Sequence, residues 1–190
     1  MSATLEERLN RILPRITTSE FLANRGQGNE IGFWIFDYLP ERELDARAFV
    51  SGVVLPALEK ASIKAAEVNL FQLIIGLLEE RKLLEKALKL QAAKGNEAVL
   101  AELRSVLTEA KLAKRIGELV NLVELQLLVL TGVGAAYPML RTNTLLTALH
   151  AVMKRTPLVM FYPGRYDGFS LRLFNKLADD HYYRAFQLVE

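Results

Sequence analysis

The sequence predicts an α/β fold, a mainly parallel sheet of about five strands covered by helices on both faces. Three observations predict it. Short β-branched and aromatic runs alternate with helical stretches, which is the pattern of strands joined by crossovers. Several of those runs are apolar at every position, as strands covered on both sides must be. Aromatic residues are absent between Phe71 and Tyr137 but frequent on either side, so a long helical block separates two strand-bearing regions.

The elements follow in chain order. Leu5, Leu9, Ile12 and Ile16 give an amphipathic N-terminal helix, interrupted near Pro14. The run Ile31-Gly32-Phe33-Trp34-Ile35-Phe36, bounded by Gly28-Asn29 and Pro40, reads as the first strand. A helix with Pro near its start and acids in its first turn follows, with Leu44, Ala48 and Phe49 as its apolar positions. Pro56 kinks it or starts a second helix. Ala66–Leu70 is a weaker second strand, Leu125–Leu130 a third, Pro157–Tyr162 a fourth and Tyr183–Val189 a fifth. Between the second and third strands, about residues 72–121, Val99, Leu103, Val106, Ala110 and Ala113 mark one buried helical face. Gly95-Asn96 divides this block, which is either a helical insertion or an oversized crossover. Asn143 to Met153 is a further helix, capped by Thr142 or Asn143. With no repeat or linker, residues 1–190 read as a single α/β domain.

Composition bounds the function. The chain has 190 residues, 51% of them apolar, with 24 Lys+Arg against 22 Asp+Glu. That excludes a disordered or collagen-like chain. No Cys is present, which excludes disulfides and thiolate metal sites and fits a reducing compartment. The first turns carry Glu6, Glu7, Arg8 and Arg11 in place of the apolar core of an export signal. The most apolar region, Leu122 to Leu140, contains Glu124, Gly132, Gly134 and Pro138 and cannot serve as a bilayer span. The expectation is a cytoplasmic protein without a membrane partner. A net charge of +2 does not call for nucleic acid. The basic residues Lys111, Lys114 and Arg115, with Lys154 and Arg155 elsewhere, read as ordinary solvated helix residues, and direct DNA binding is not expected. Arg81, Glu85 and Lys89 are spaced to pair along an exposed helix face.

Ligands of such sheets bind at the carboxyl edge of the strands. Three segments there stand out: Asp37-Tyr38-Leu39-Pro40-Glu41, Thr131 to Pro138 with Gly132 and Gly134, and Pro163 to Gly168 with Gly164, Arg165 and Asp167. Read as loops, they would meet on one rim and offer glycine amides, an arginine and two carboxylates to a phosphate or nucleotide. The motif chemistry is incomplete. No Gly-rich loop ends in Gly-Lys-Ser/Thr, and the third glycine of a dinucleotide fingerprint is replaced at Tyr137. Gly132-Val133-Gly134 therefore reads more simply as a tight turn with close packing, and Asp37 as a strand-end cap or ion pair. Arg25 and Arg184 flank strands in polar and aromatic segments, where each can clamp an anion or form an internal salt bridge with Asp37 or Asp167. His150 shares a helix with Leu146, Leu149 and Met153 and reads as packing. His181 beside Asp179 and Asp180 is a nonspecific metal pattern. Ser170 lacks a base partner and a nucleophile elbow. No catalytic residue, metal site or cofactor is expected, and the protein reads as a non-enzyme.

At these segments the chain resembles a known family. Phe21-Leu22-Ala23-Asn24-Arg25-Gly26 and Asn29-Glu30-Ile31-Gly32-Phe33-Trp34-Ile35-Phe36-Asp37-Tyr38 are similar to the N-terminal part of the BrxB proteins of BREX phage-defence systems. The similarity continues at Leu130-Thr131-Gly132-Val133-Gly134, at Phe161-Tyr162-Pro163-Gly164-x-Tyr166-x-Gly168 and at Tyr182-Tyr183-Arg184-Ala185-Phe186. The resemblance implies a bacterial or archaeal cytoplasmic protein encoded beside an adenine methyltransferase, a large ATPase and the alkaline-phosphatase-like PglZ. It implies an accessory, non-catalytic subunit in self/non-self discrimination that acts through contacts with other BREX proteins, PglZ first among them. The alternative is a nucleotide- or phosphate-binding α/β domain, degenerate and P-loop-like. The sequence sets no oligomeric state.

Overall fold

The computed structural model describes residues 3–24, 32–153, 155–179 and 185–190. Its chain opens with α1 (Leu5–Asn10), α2 (Ile12–Ile16) and α3 (Ser19–Leu22). Thr4 and Glu7 form a reciprocal capping box at the start of α1. The break between α1 and α2 falls at Arg11, one turn before Pro14. The proline has no N–H for the carbonyl four residues earlier and its ring collides with it, so the ladder parts upstream of the proline itself. Leu9, Ile12 and Ile16 are buried, as the periodicity requires.

Strand β1 (Phe33–Tyr38) leads through a 3₁₀ turn at Pro40–Arg42 into α4 (Glu43–Phe49). A π-helical turn at Val50–Val54 joins α4 to α5 (Leu55–Lys60), with Pro56 just after it; the backbone stays helical throughout, and the Leu55 N–H reaches back to the Val50 carbonyl. Then come β2 (Ala65–Asn69), α6 (Leu70–Glu80), α7 (Leu84–Lys94), α8 (Asn96–Leu103) and α9 (Glu109–Leu119). Gly95 separates α7 from α8 at φ +80°, a backbone conformation glycine adopts without strain. β3 (Leu127–Thr131), α10 (Val133–Ala136), α11 (Thr142–Met153) and β4 (Leu158–Tyr166) follow. The described chain closes with β5 (Leu171–Leu173), β6 (Leu177–Asp179) and β7 (Ala185–Gln187).

The strands form the α/β sheet expected from the sequence, in the order β2-β3-β4-β1-β7 with every pair parallel. Because β2 and β3 are direct neighbours, the α6–α9 block is an oversized crossover. Alternate side chains fill two cores. Phe33, Ile35, Leu128, Leu130, Leu158 and Met160 pack with α6, α9, α10 and α11. Trp34, Phe36, Leu127, Val129, Val159 and Phe161 pack with α1, α2, α4 and α5. Both faces are thus covered, which is why these strands are apolar at every position.

Two expectations are corrected. Pro163 to Tyr166 are not loop: β4 runs through them and turns into an antiparallel β5–β6 extension, with Gly164 opposite Leu173 and Tyr166 opposite Leu171. Proline and glycine stopped the sequence reading at Tyr162. In the fold, Gly164 is bare because a Cβ there would strike the carbonyl of Arg172 on β5. The second correction concerns Arg81, Glu85 and Lys89. Arg81 caps the end of α6 while the other two lie on α7, and none of the three forms an ion pair among the described residues.

Candidate functional site

The carboxyl rim of the sheet brings the segments after β1, β3 and the core of β4 to one edge, since Tyr38 lies opposite Pro163 and Leu130 opposite Met160. Asp37, only 8% exposed, is the centre of this rim. Arg8 of α1 donates to its Oδ1 at 2.5 Å and to its carbonyl at 2.8 Å, and the Tyr166 amide donates to its Oδ2 at 3.0 Å. Both carboxylate oxygens are therefore engaged with protein. The Arg8 guanidinium also lies 4.9 Å from the Phe36 ring centre and donates to the Val189 carbonyl at 3.2 Å. The ion pair expected of Asp37 exists, but its partner is Arg8. Arg25 and Arg184, the two arginines singled out for that role, lie outside the described residues, as does His181.

The glycines of the rim serve packing. Gly132 caps α10 at φ +70°, and a Cβ there would run into the Asn69 side chain. Gly134 leaves room for Phe174 and Pro163, each 2.9 Å from where its Cβ would stand. Thr131 donates to Glu67 Oε1 at 2.6 Å. Asp167 is used by its own turn: Oδ1 accepts from the Phe169 and Ser170 amides at 2.9 and 2.7 Å, and Oδ2 from the Ser170 hydroxyl at 2.9 Å. These bonds hold the Asp167 carboxyl below the usual aspartate range, helped by Arg172. Arg165 is exposed on β4, directly opposite Arg172 on β5. Beside the rim, Tyr38 donates to Glu43 Oε2 at 2.6 Å; burial, then this carboxylate, push its phenol far above the ordinary value.

Other expected features are equally internal. The His150 ring packs 4.4 Å from that of Phe33. Lys111 donates to the Ser105 carbonyl, Lys114 pairs with Glu118, and Arg115 pairs with Glu80 and Glu118, so this basic cluster is matched within the protein. Among the described residues, no group of three His, Cys, Asp or Glu could hold a metal, and no helix is long and apolar enough to cross a membrane.

The sequence reading missed the N-terminal arginines. Arg8, Arg11 and Arg15 recur at helical spacing, and all three reach the last residues of the chain: Arg15 donates to the Leu188 carbonyl at 2.6 Å and Arg11 to that of Glu190 at 3.4 Å. Arg15 also lies 4.5 Å from the Trp34 ring centre, and Phe21 and Phe186 flank the same indole. The three-and-four spacing was the available signal. Charges at helical spacing mark a solvated face in most helices, so the spacing alone does not announce these contacts.

The fold and its rim define a class first: an α/β protein with a mainly parallel sheet, whose carboxyl edge is occupied by its own side chains. The sequence comparisons then place it. The family profile "BREX protein BrxB" matches residues 66–188. A BREX protein BrxB of Escherichia coli O9:H4 (strain HS) is 43% identical over 185 residues, covering 97% of this chain and 92% of that protein. One from Bacillus cereus (strain H3081.97) is 37% identical over 188 residues, covering 98% of each. No solved structure matches the chain significantly. The chain belongs to the BrxB family.

Proposed function

We propose that this chain is an accessory, non-catalytic component of a BREX anti-phage system, working in the cytoplasm through contacts with other BREX proteins, PglZ the first of them. One observation carries the reading beyond family membership. Around Asp37, Gly132 and Gly134, the rim where an α/β enzyme of this topology would hold its ligand is filled by the Arg8–Asp37–Tyr166 contacts and by glycines closed against Asn69, Pro163 and Phe174. A protein so packed at its customary ligand edge has its outer surface left to work with. The alternative, a nucleotide or phosphate on the rim, meets the same packing as an obstacle.

The test is affinity purification of the tagged chain from cells expressing the whole system. Stable recovery of PglZ or another BREX protein is the expected result, and recovery of none above background removes the reading. Calorimetry with ATP and GTP addresses the alternative, for which no heat at millimolar nucleotide is expected.

A further inference from the structure

The sheet has two margins, and β2 forms one of them among the described residues. In a parallel ladder alternate residues turn both backbone groups to the same neighbour. The Lys64 carbonyl accepts from the Gln126 amide on the β3 side at 2.7 Å. Ala66 and Val68 therefore also face β3, and Ala65 and Glu67 turn their N–H and C=O groups outward, together with the Asn69 N–H. Nothing among the described residues bonds the outward groups of Ala65 and Glu67. The margin is not disguised by proline or a bulge, and Glu67 at its middle is exposed.

Grooves run along both faces of this strand. On the α5 face a groove of about 530 Å³ is lined by Leu55, Ile63, Lys64, Glu59 and Glu67. On the α6 and α9 face one of about 400 Å³ is lined by Ala66, Val68, Leu73, Leu77, Leu119 and Val120, with Glu67 at its border. An added strand would send alternate side chains into the two grooves, one mainly apolar with the Glu80–Arg115 pair at its side, the other carrying two carboxylates and one lysine. A second copy of this chain fits poorly. Antiparallel pairing of β2 with itself over all five residues sets Glu67 against Glu67, and like charges directly opposite are destabilising.

Building on the protein-contact reading, we propose that the free margin of β2 receives an extended segment of a different protein. That segment adds a strand beside Ala65–Asn69, places apolar side chains toward Leu73, Leu77 and Val120, and sets Lys or Arg toward Glu67 and Glu59. Backbone pairing supplies the attachment, and the Glu67 carboxylate selects a basic strand over self-association.

The test uses the tagged full chain, Glu67→Pro and Glu67→Lys, each purified from cells expressing the complete BREX operon. Hydrogen exchange is followed on the wild-type protein alone and in its purified complex. Proline at an outward-facing edge position removes the donor needed by the added strand without touching the β2–β3 ladder. Expected are on the order of tenfold less operon-encoded partner with either variant, melting lowered only by the loss of the Thr131–Glu67 bond, and slowed exchange of the Ala65 and Glu67 amides only in the wild-type complex. Should either variant unfold, the exchange pattern of the wild-type complex decides. Full recovery by both variants, or no slowing at these amides in a complex that does form, overturns the margin as the docking site and leaves the protein-contact reading standing. Loss with Glu67→Pro but full recovery with Glu67→Lys overturns the basic occupant. A wild-type dimer in sedimentation that Glu67→Pro dissolves puts a second copy on the margin and overturns the proposal. Absence of any partner removes this proposal and the reading beneath it together.

Discussion

The two ends of the sheet are built on opposite principles. At the β7 end the strand is three residues long, and the chain after it is held by Arg8, Arg11 and Arg15, which donate to the carbonyls of Val189, Glu190 and Leu188. At the β2 end the strand is five residues long and its outward backbone groups meet no described partner. Each exposed strand edge is a template for further pairing, so proteins ordinarily close it. At the β7 end three cations on one helical face tie down the residues that follow the strand. The other margin carries one carboxylate. What differs is therefore how the chain beside each margin is fastened, and the sequence expresses it in the placement of four charged residues.

The end fastened by the arginines should be the one on which stability depends. Arg8→Ala leaves Asp37 buried without its cation and is expected to cost about 3 kcal/mol, read as a shifted denaturant midpoint. A double variant with Asp37→Asn should lose less than the two single losses combined. Arg15→Ala gives up the bond to Leu188 and the contact with Trp34, for about 1.5 kcal/mol. It should also speed amide exchange at Leu188, whose N–H bonds the Ile35 carbonyl. Gly132→Ala, beside the open end, should cost about 1 kcal/mol through its positive φ and the collision with Asn69. Glu67→Gln, on the open margin itself, should change stability by less than about 0.5 kcal/mol; a loss rivalling that of Arg8→Ala would erase the contrast between the margins.

The smallest effects are those of pH. The Tyr38 phenol is raised from its ordinary 10.0 in the folded state. Its contribution is complete below that value and is lost as pH rises above it, so wild type should lose alkaline stability that Tyr38→Phe retains. The Asp167 carboxyl is lowered from its ordinary 3.8. Its contribution is present above that value and fades as pH falls below it, an acid-side slope that Asp167→Asn should flatten.

Much of the architecture was written locally. Trp34-Ile35-Phe36 and Leu158-Val159-Met160-Phe161 are strands by residue type alone, and their unbroken apolar character announces helices on both faces. The five parallel strands and the break at Gly95 follow from such signals. The β5–β6 extension does not: Leu171-Arg172-Leu173 is too short to show a period, and Pro163-Gly164 looks like an end until Arg172 is seen to pass over the glycine. At the rim, the type of role was legible and the partner was not. Asp37 was readable as an ion pair, but Arg8 lies 29 residues away, and only the packing of α1 against β1 brings them together. Gly132 and Gly134 were readable as packing glycines because the phosphate-binding residues around them are missing.

The Arg8–Val189 bond spans 181 residues. During synthesis α1 emerges long before Leu188 and Val189 exist, so Arg8 and Arg15 meet these acceptors only after β7 has left the ribosome. A nascent chain that has not yet reached Val189 therefore holds Arg8 on Asp37 alone, and the second acceptor comes to that guanidinium only when the segment after β7 docks.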